Sequence, residues 1–94
     1  MPESEKVLER RLASEIMKQG GLCLKLFPIH ITGLPDRLCL LPGGRLFFAE
    51  IKTTGERPTL RQRYVHKQLR DLGFRVEIID TTEGVLQVIR GHEL

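Results

Sequence analysis

"GLPDRLCLLPGGRLFFAEIKTTG", from Gly33 to Gly55, decides the fold. Two runs of strand-forming residues, "DRLCLL" and "RLFFAEIK", flank "PGG" (Pro42–Gly44), which offers glycine at a left-handed turn position, so the stretch predicts a β-hairpin. In an antiparallel hairpin centred on Gly43, opposed residues carry numbers that sum to 86. Leu38 then faces Phe48 and Leu40 faces Leu46 on one side of the sheet, and Cys39, Leu41, Phe47, Ala49 and Ile51 line the other. Both faces are apolar, as expected of strands in the middle of a covered sheet. The same register sets Asp36 against Glu50, with Lys52 two residues on and pointing the same way.

Two carboxylates so placed need a physical reason. Opposed Cβ atoms lie about 4.5–5.5 Å apart, and like charges there destabilise a sheet. At 4 Å the repulsion is on the order of 4 kcal/mol for an effective dielectric of 20. The pair is tolerated if one acid holds a proton or a cation lies between them, and a hard divalent ion with oxygen ligands is the natural occupant. The alternative is a one-residue bulge in the PGG turn, which leaves Asp36 as a turn residue and Glu50–Lys52 as a surface pair.

Outward from the hairpin, Ser4 is the N-cap of a helix that runs to Lys18 and stops at Gly20-Gly21. At 100° per residue, Glu5 and Glu9 fall inside its apolar stripe of Leu8, Leu12 and Ile16, where they serve either a site or only the helix dipole. "GLCLKLF" (Gly21 to Phe27) reads as a strand, and Pro28, Gly33 and Pro35 make "PIHITGLP" an irregular loop. After the hairpin and the polar "TTGERP", Thr59 caps a second helix to about Leu72, stopped by Gly73. Val65, Leu69 and Leu72 form its core face. Gln62 shares that stripe, bonding backbone at the sheet edge or serving the acids. "FRVEIID" alternates as a strand, and Thr81 or Thr82 caps a last helix through Ile89. The order α-β-β-β-α-β-α over residues 1–94 is one α/β domain, a mixed central sheet flanked by helices.

Ninety-four residues suffice for a single core, and a composition of 40% hydrophobic and 29% charged residues excludes disorder or a fibrous repeat. No apolar run approaches the roughly 20 residues needed to span a bilayer, and the charged "MPESEKVLERR" lacks the apolar region of a signal peptide, so an intracellular protein is expected. Cys23 and Cys39, without CxxC spacing, read as buried thiols. The net charge of +3 is a mild bias toward polyanions. Its distribution says more: Arg57, Arg61, Arg63, Lys67 and Arg70 lie on or just before the second helix, with Arg37 and Lys25 on strands. Cations of this sort supply phosphate affinity with little sequence discrimination. One tyrosine and no tryptophan leave base-stacking platforms scarce, which favours recognition of DNA by shape. Taken singly, each arginine reads equally well as part of a solvated helix face.

Pro35-Asp36, Glu50-Ile51-Lys52, the intervening "PGG" and the helix Gln62 together resemble the PD-(D/E)xK nuclease signature in its virus-type replication-repair nuclease (VRR-NUC) form, over nearly the whole chain. The resemblance implies a restriction-endonuclease-like core that uses Mg²⁺ or Mn²⁺. Its metal ligands would be Asp36, Glu50, the backbone carbonyl of Ile51 and an acid of the first helix, Glu5 or Glu9. Lys52 would attend the attacking water and the scissile phosphate, Gln62 would orient the site, and Arg37, Arg57, Arg61, Arg63 and Lys67 would contact DNA. It further implies a structure-selective endonuclease, a Holliday-junction resolvase acting as a homodimer on four-way DNA, in the cytoplasm of a bacterial or phage-infected cell. The sheet edge, or Phe74, Ile78 and Val85 to Ile89, is the candidate dimer surface. The competing readings are a nuclease of the same core acting on flaps, nicks or duplex, and a non-catalytic nucleic-acid-binding module.

Overall fold

The computed structural model describes residues 3–27 and 30–91, so Pro28 of the expected irregular loop lies outside the described residues. Helix α1 (Glu5–Lys18) starts where Ser4 accepts the Val7 N–H and ends before Gly20, which takes φ +84°. Strands β1 (Leu22–Lys25), β2 (Arg37–Leu41) and β3 (Arg45–Ile51) follow, with a 3-10 turn at Pro42–Gly44 whose two glycines adopt positive φ. Helix α2 (Leu60–Asp71) is opened by a capping box: Thr59 accepts the Gln62 N–H, and the Gln62 side chain accepts the Thr59 N–H. Strand β4 (Val76–Ile79) and helix α3 (Thr82–Gly91) complete the chain, α3 being capped by Thr81, whose hydroxyl accepts from the Gly84 N–H at 2.9 Å.

The sheet order is β1-β2-β3-β4, antiparallel except for the β3–β4 pair, which α2 connects as a crossover. Leu38 opposes Phe48, Cys39 opposes Phe47 and Leu40 opposes Leu46, which is the hairpin register expected from the turn and excludes the bulged alternative. One face is closed by α1 and α3: Leu8, Leu12 and Ile16 pack with Cys39, Phe47, Ala49, Ile51, Ile79 and Val85.

Three expectations are corrected here. The opposite face is not fully covered: Leu38, Leu40, Leu46 and Phe48 are half-buried, and on the edge strand Leu22 and Leu24 keep 61% and 42% of their surface. A lone helix about 10 Å wide cannot roof four strands spaced about 4.8 Å apart, and α2 lies toward β4. Leu72 is exposed rather than core, because it is the C-cap residue of α2, and His66 joins Val65 in the buried stripe instead. Val85 and Ile89 lie on the core face of α3 and are not available to a dimer surface, whereas Phe74 and Ile78 remain partly exposed.

The loop ahead of β2 is pressed onto α2. Gly33 holds φ +85°, and a Cβ there would lie 2.8 Å from the Arg61 carbonyl oxygen. From the other side, Arg61 Nε donates to the carbonyl and hydroxyl oxygens of Thr32 at 3.2 and 3.1 Å. Gly33→Ala is therefore expected to destabilise the domain by about 1–3 kcal/mol, combining backbone strain with the close approach. Urea denaturation checks this as a lowered midpoint at unchanged slope.

Candidate active site

Strand alternation sends Ala49 and Ile51 into the α1/α3 core and Glu50 to the other face, beneath α2, where it is 1% exposed. Asp36 precedes β2. Its main-chain oxygen accepts from Leu26 N–H at 2.8 Å, and its carboxylate Oδ2 accepts the Ile51 N–H at 2.8 Å, so one residue is tied to both neighbouring strands. The last regular pair is Arg37 with Ala49, and the register continues to Asp36 beside Glu50.

The pairing has an electrostatic signature. Burial first, then the Asp36 charge and a hydrogen bond with Asp36, push the Glu50 carboxyl up to about 8; Lys52 opposes the rise, and Glu5 adds to it. Lys52 Nζ lies 3.8 Å from Glu50 Oε2. Gln62 Nε2 donates to the same oxygen at 3.2 Å, and Gln62 Oε1 accepts the Thr59 N–H at 2.9 Å. The capping box thus aims the amide, so the structural and site readings of Gln62 are one arrangement.

His66 was not singled out in the sequence. It is 1% exposed, and its Nε2 stands 3.4 Å from Glu50 Oε1. Both atoms are buried without a hydrogen-bond partner among the described residues. The available signal was its spacing, one helical turn after Gln62 on the same face.

The two candidate acids of α1 separate. Glu5, in the first turn, acts on Glu50 electrostatically. Glu9 instead pairs with Arg37 at 3.4 Å, with both side chains mostly buried. Strand alternation explains this: Arg37 follows Asp36 and points to the α1 face, away from the acids, where Glu9 meets it. Among the remaining cations, Lys67 pairs with Asp71 at 2.7 Å and Arg61 holds Thr32 while stacking on Tyr64 at 5.5 Å. Arg57 and Arg63 are exposed and have no ion pair among the described residues. The two cysteines are free thiols, Cys39 buried and Cys23 half-buried, brought into register across β1 and β2 with Sγ atoms 4.0 Å apart.

The donor set fits a hard divalent cation in one particular way. Among the described residues, no three His, Cys, Asp or Glu side chains are arranged to hold a metal. Asp36 and Glu50 supply two carboxylates, one with an unpartnered buried oxygen, and the repulsion between them is what a cation would relieve. Main chain at Ile51, water and a substrate phosphate would complete the shell, as Mg²⁺ commonly requires. A concave surface lined by Val7, Arg10, Arg11, Ser14 and Thr82 contains no carboxylate and is not this site. No helix among the described residues is long and apolar enough to cross a membrane.

The chain matches known proteins in sequence and in fold. The chain is 39% identical over 79 residues to "Putative nuclease p44" of Acyrthosiphon pisum secondary endosymbiont phage 1, a match covering 84% of this chain and 85% of the relative. A solved structure described as "VRR_NUC domain" superposes with a TM-score of 0.90 at 27% identity, over 95% of this chain and 97% of that one. No protein-family model matches the chain.

A raised Glu50 value fixes the sign of a pH effect. Between about pH 5 and 8 the folded state holds a proton that the unfolded chain has released, so stability present at low pH is lost as pH rises toward 8. Metal-free protein is expected to lose on the order of 3 kcal/mol across that window in urea titrations. Glu50→Gln should flatten the curve, and Mg²⁺, which favours the ionised carboxylate, should offset the loss at pH 8 in the wild-type protein only.

Proposed function

The chain belongs to the virus-type replication-repair nuclease (VRR-NUC) family, and from that premise we propose that it is a metal-dependent, structure-selective DNA endonuclease, specifically a homodimeric Holliday-junction resolvase. The observation that carries this reading is the buried Glu50 carboxylate held against Asp36 and beside Lys52 at the end of β3. Hydrolysis of a phosphodiester needs a nucleophilic water and stabilisation of the charge that develops on phosphoryl and leaving oxygens. A bound Mg²⁺ or Mn²⁺ lowers the pKa of water and polarises the phosphoryl group.

The chain's own residues do the rest. Asp36 and Glu50 would hold the ion, with the Ile51 carbonyl and Glu5 at its periphery. Lys52 Nζ, anchored near Glu50 Oε2, reaches toward the same space and orients water and a phosphate oxygen. Gln62 fixes the Glu50 carboxylate, and Glu9 serves Arg37 instead of the metal. Arg57 and Arg63, together with Arg61 and Lys67 where substrate phosphate displaces their present partners, give α2 a cationic approach for the backbone of DNA.

One site cuts one strand, so paired incisions in a four-way junction need two. The half-covered leucine face of β1 and β2 supports a second copy as its partner, since exposed Leu22 and Leu24 extend a patch continuous with Leu38 and Leu40. Replacing Leu24 by Arg is expected to convert a dimer to a monomer in sedimentation velocity while leaving the fold intact. An unchanged sedimentation coefficient would remove this face from the interface.

Incubation with a synthetic four-way junction, a flap and a linear duplex, each with Mg²⁺, Mn²⁺ or EDTA, tests the activity. Symmetric paired nicks in the junction, abolished by EDTA, are the expected result. One-sided cuts would reassign the protein to flaps or nicks, and binding without cleavage in every metal would leave a binding module. Asp36→Asn and Glu50→Gln should lower cleavage by roughly 10³-fold or more with junction binding preserved. Lys52→Ala should slow it by about 10²-fold while still binding metal.

A further inference from the structure

Within the acid cluster, Glu50 is held from a single helix. Gln62 and His66 lie four residues apart on α2 and face the same way. Gln62 Nε2 meets Oε2 of the carboxylate at 3.2 Å, and His66 Nε2 stands 3.4 Å from Oε1. We infer that His66 is a positioning residue of this site: the proton on its Nε2 holds Oε1 while Gln62 holds Oε2, so that α2 fixes the plane in which Glu50 meets a cation. This rests on reading Glu50 as a metal ligand.

Other roles fit less well. A general base must reach substrate, and a side chain 1% exposed behind Glu50 does not. A direct ligand would form a third metal-holding side chain with Asp36 and Glu50, and no such triad exists among the described residues. What remains is a ring nitrogen facing a carboxylate oxygen, both buried and both without a hydrogen-bond partner among the described residues. Leaving such a pair unmade costs the desolvation of both groups, whereas a movement of about 0.5 Å closes it to an ordinary hydrogen bond. Each carboxylate oxygen offers two lone-pair directions, so accepting one bond from the helix leaves one free for a cation.

Charge agrees with this geometry. Burial first, then Arg70 and Lys52, hold His66 below its ordinary value against the opposing pull of Asp36, so the ring is neutral and adds no positive charge against an incoming divalent ion. Second partners that orient a ligand commonly account for 10–100-fold in metal affinity.

The test compares His66→Phe, which keeps an apolar ring of similar size without a donor, with His66→Gln, which restores one. Mn²⁺ binding to DNA-free protein is read by electron paramagnetic resonance, and junction cleavage is read separately. His66→Phe is expected to fold with unchanged or higher thermal stability and to bind Mn²⁺ 10–100-fold more weakly; His66→Gln should stay within about threefold of wild type. If His66→Phe does not fold, His66→Met against His66→Gln gives the same comparison at matched length. Wild-type affinity in the donor-free variant, or equal losses in both, would overturn the inference. Nitrogen-15 spectra of the imidazole distinguish this failure from failure of the nuclease reading. The Nε2–H tautomer, with a resonance that moves in Glu50→Gln, is expected whether or not DNA is cut, and an Nδ1–H tautomer would overturn the positioning role in a protein that cuts normally.

Discussion

A carboxylate almost wholly removed from water is the constraint around which this domain is organised. Glu50 lies on a central strand under α2, with Asp36 beside it, and an ionised carboxylate in that setting costs several kcal/mol unless something charged or proton-donating answers it. The surroundings are answers of that kind: Lys52 on the same face, the Gln62 amide, and the His66 ring nitrogen. Asp36 is spared part of the conflict because its own carboxylate takes the Ile51 N–H. A buried carboxylate whose proton affinity is raised by burial and by a neighbouring acid, as Glu50's is, is characteristic of sites that act.

The parts of this arrangement legible in the sequence were those written in local chemistry. Ser4 and Thr59 announce helix starts because a side-chain oxygen satisfies N–H groups only two or three residues away. "PGG" announces a turn because its glycines accept positive φ, and the turn fixes a register that carries Asp36 to Glu50. Beyond local reach the reading thinned. Cys23 and Cys39 became neighbours only because β1 pairs with β2 across an irregular loop, which fixes no register in advance. Glu9 was offered beside Glu5 as an acid of the site and Arg37 as a DNA contact, and that the two pair with one another across α1 and β2 was not read, although alternation points Arg37 opposite to Asp36. His66 was hidden by chemistry rather than by distance, since an imidazole beside Val65 looks like a core residue until its partner on β3, Glu50, is known.

The cations divide into those already committed and those free to meet a polyanion. Arg37 is drawn inward by Glu9, Lys67 is held by Asp71, and Arg70 donates to the Val76 carbonyl at 2.7 Å. What α2 offers outward is therefore thinner than its count of arginines suggests. Exposed pairs such as Lys67–Asp71 are worth less than about 1 kcal/mol, so a phosphate can compete for them, whereas the mostly buried Glu9–Arg37 pair would leave a charge without compensation if opened. Affinity for a backbone would then depend on few contacts per domain, which a second copy would double.

Glu50 and the half-covered leucines occupy the same face of the sheet, Glu50 toward β4 beneath α2 and the leucines toward the β1 edge. That common placement ties oligomeric geometry to chemistry. A two-fold contact through the leucine patch would set the two acid clusters on the same side of the assembled sheets, with an α2 from each copy flanking the axis. A contact through the α1 and α3 side would turn the clusters outward and away from each other. Of the two, the first would bury the apolar surface that the single helix fails to roof.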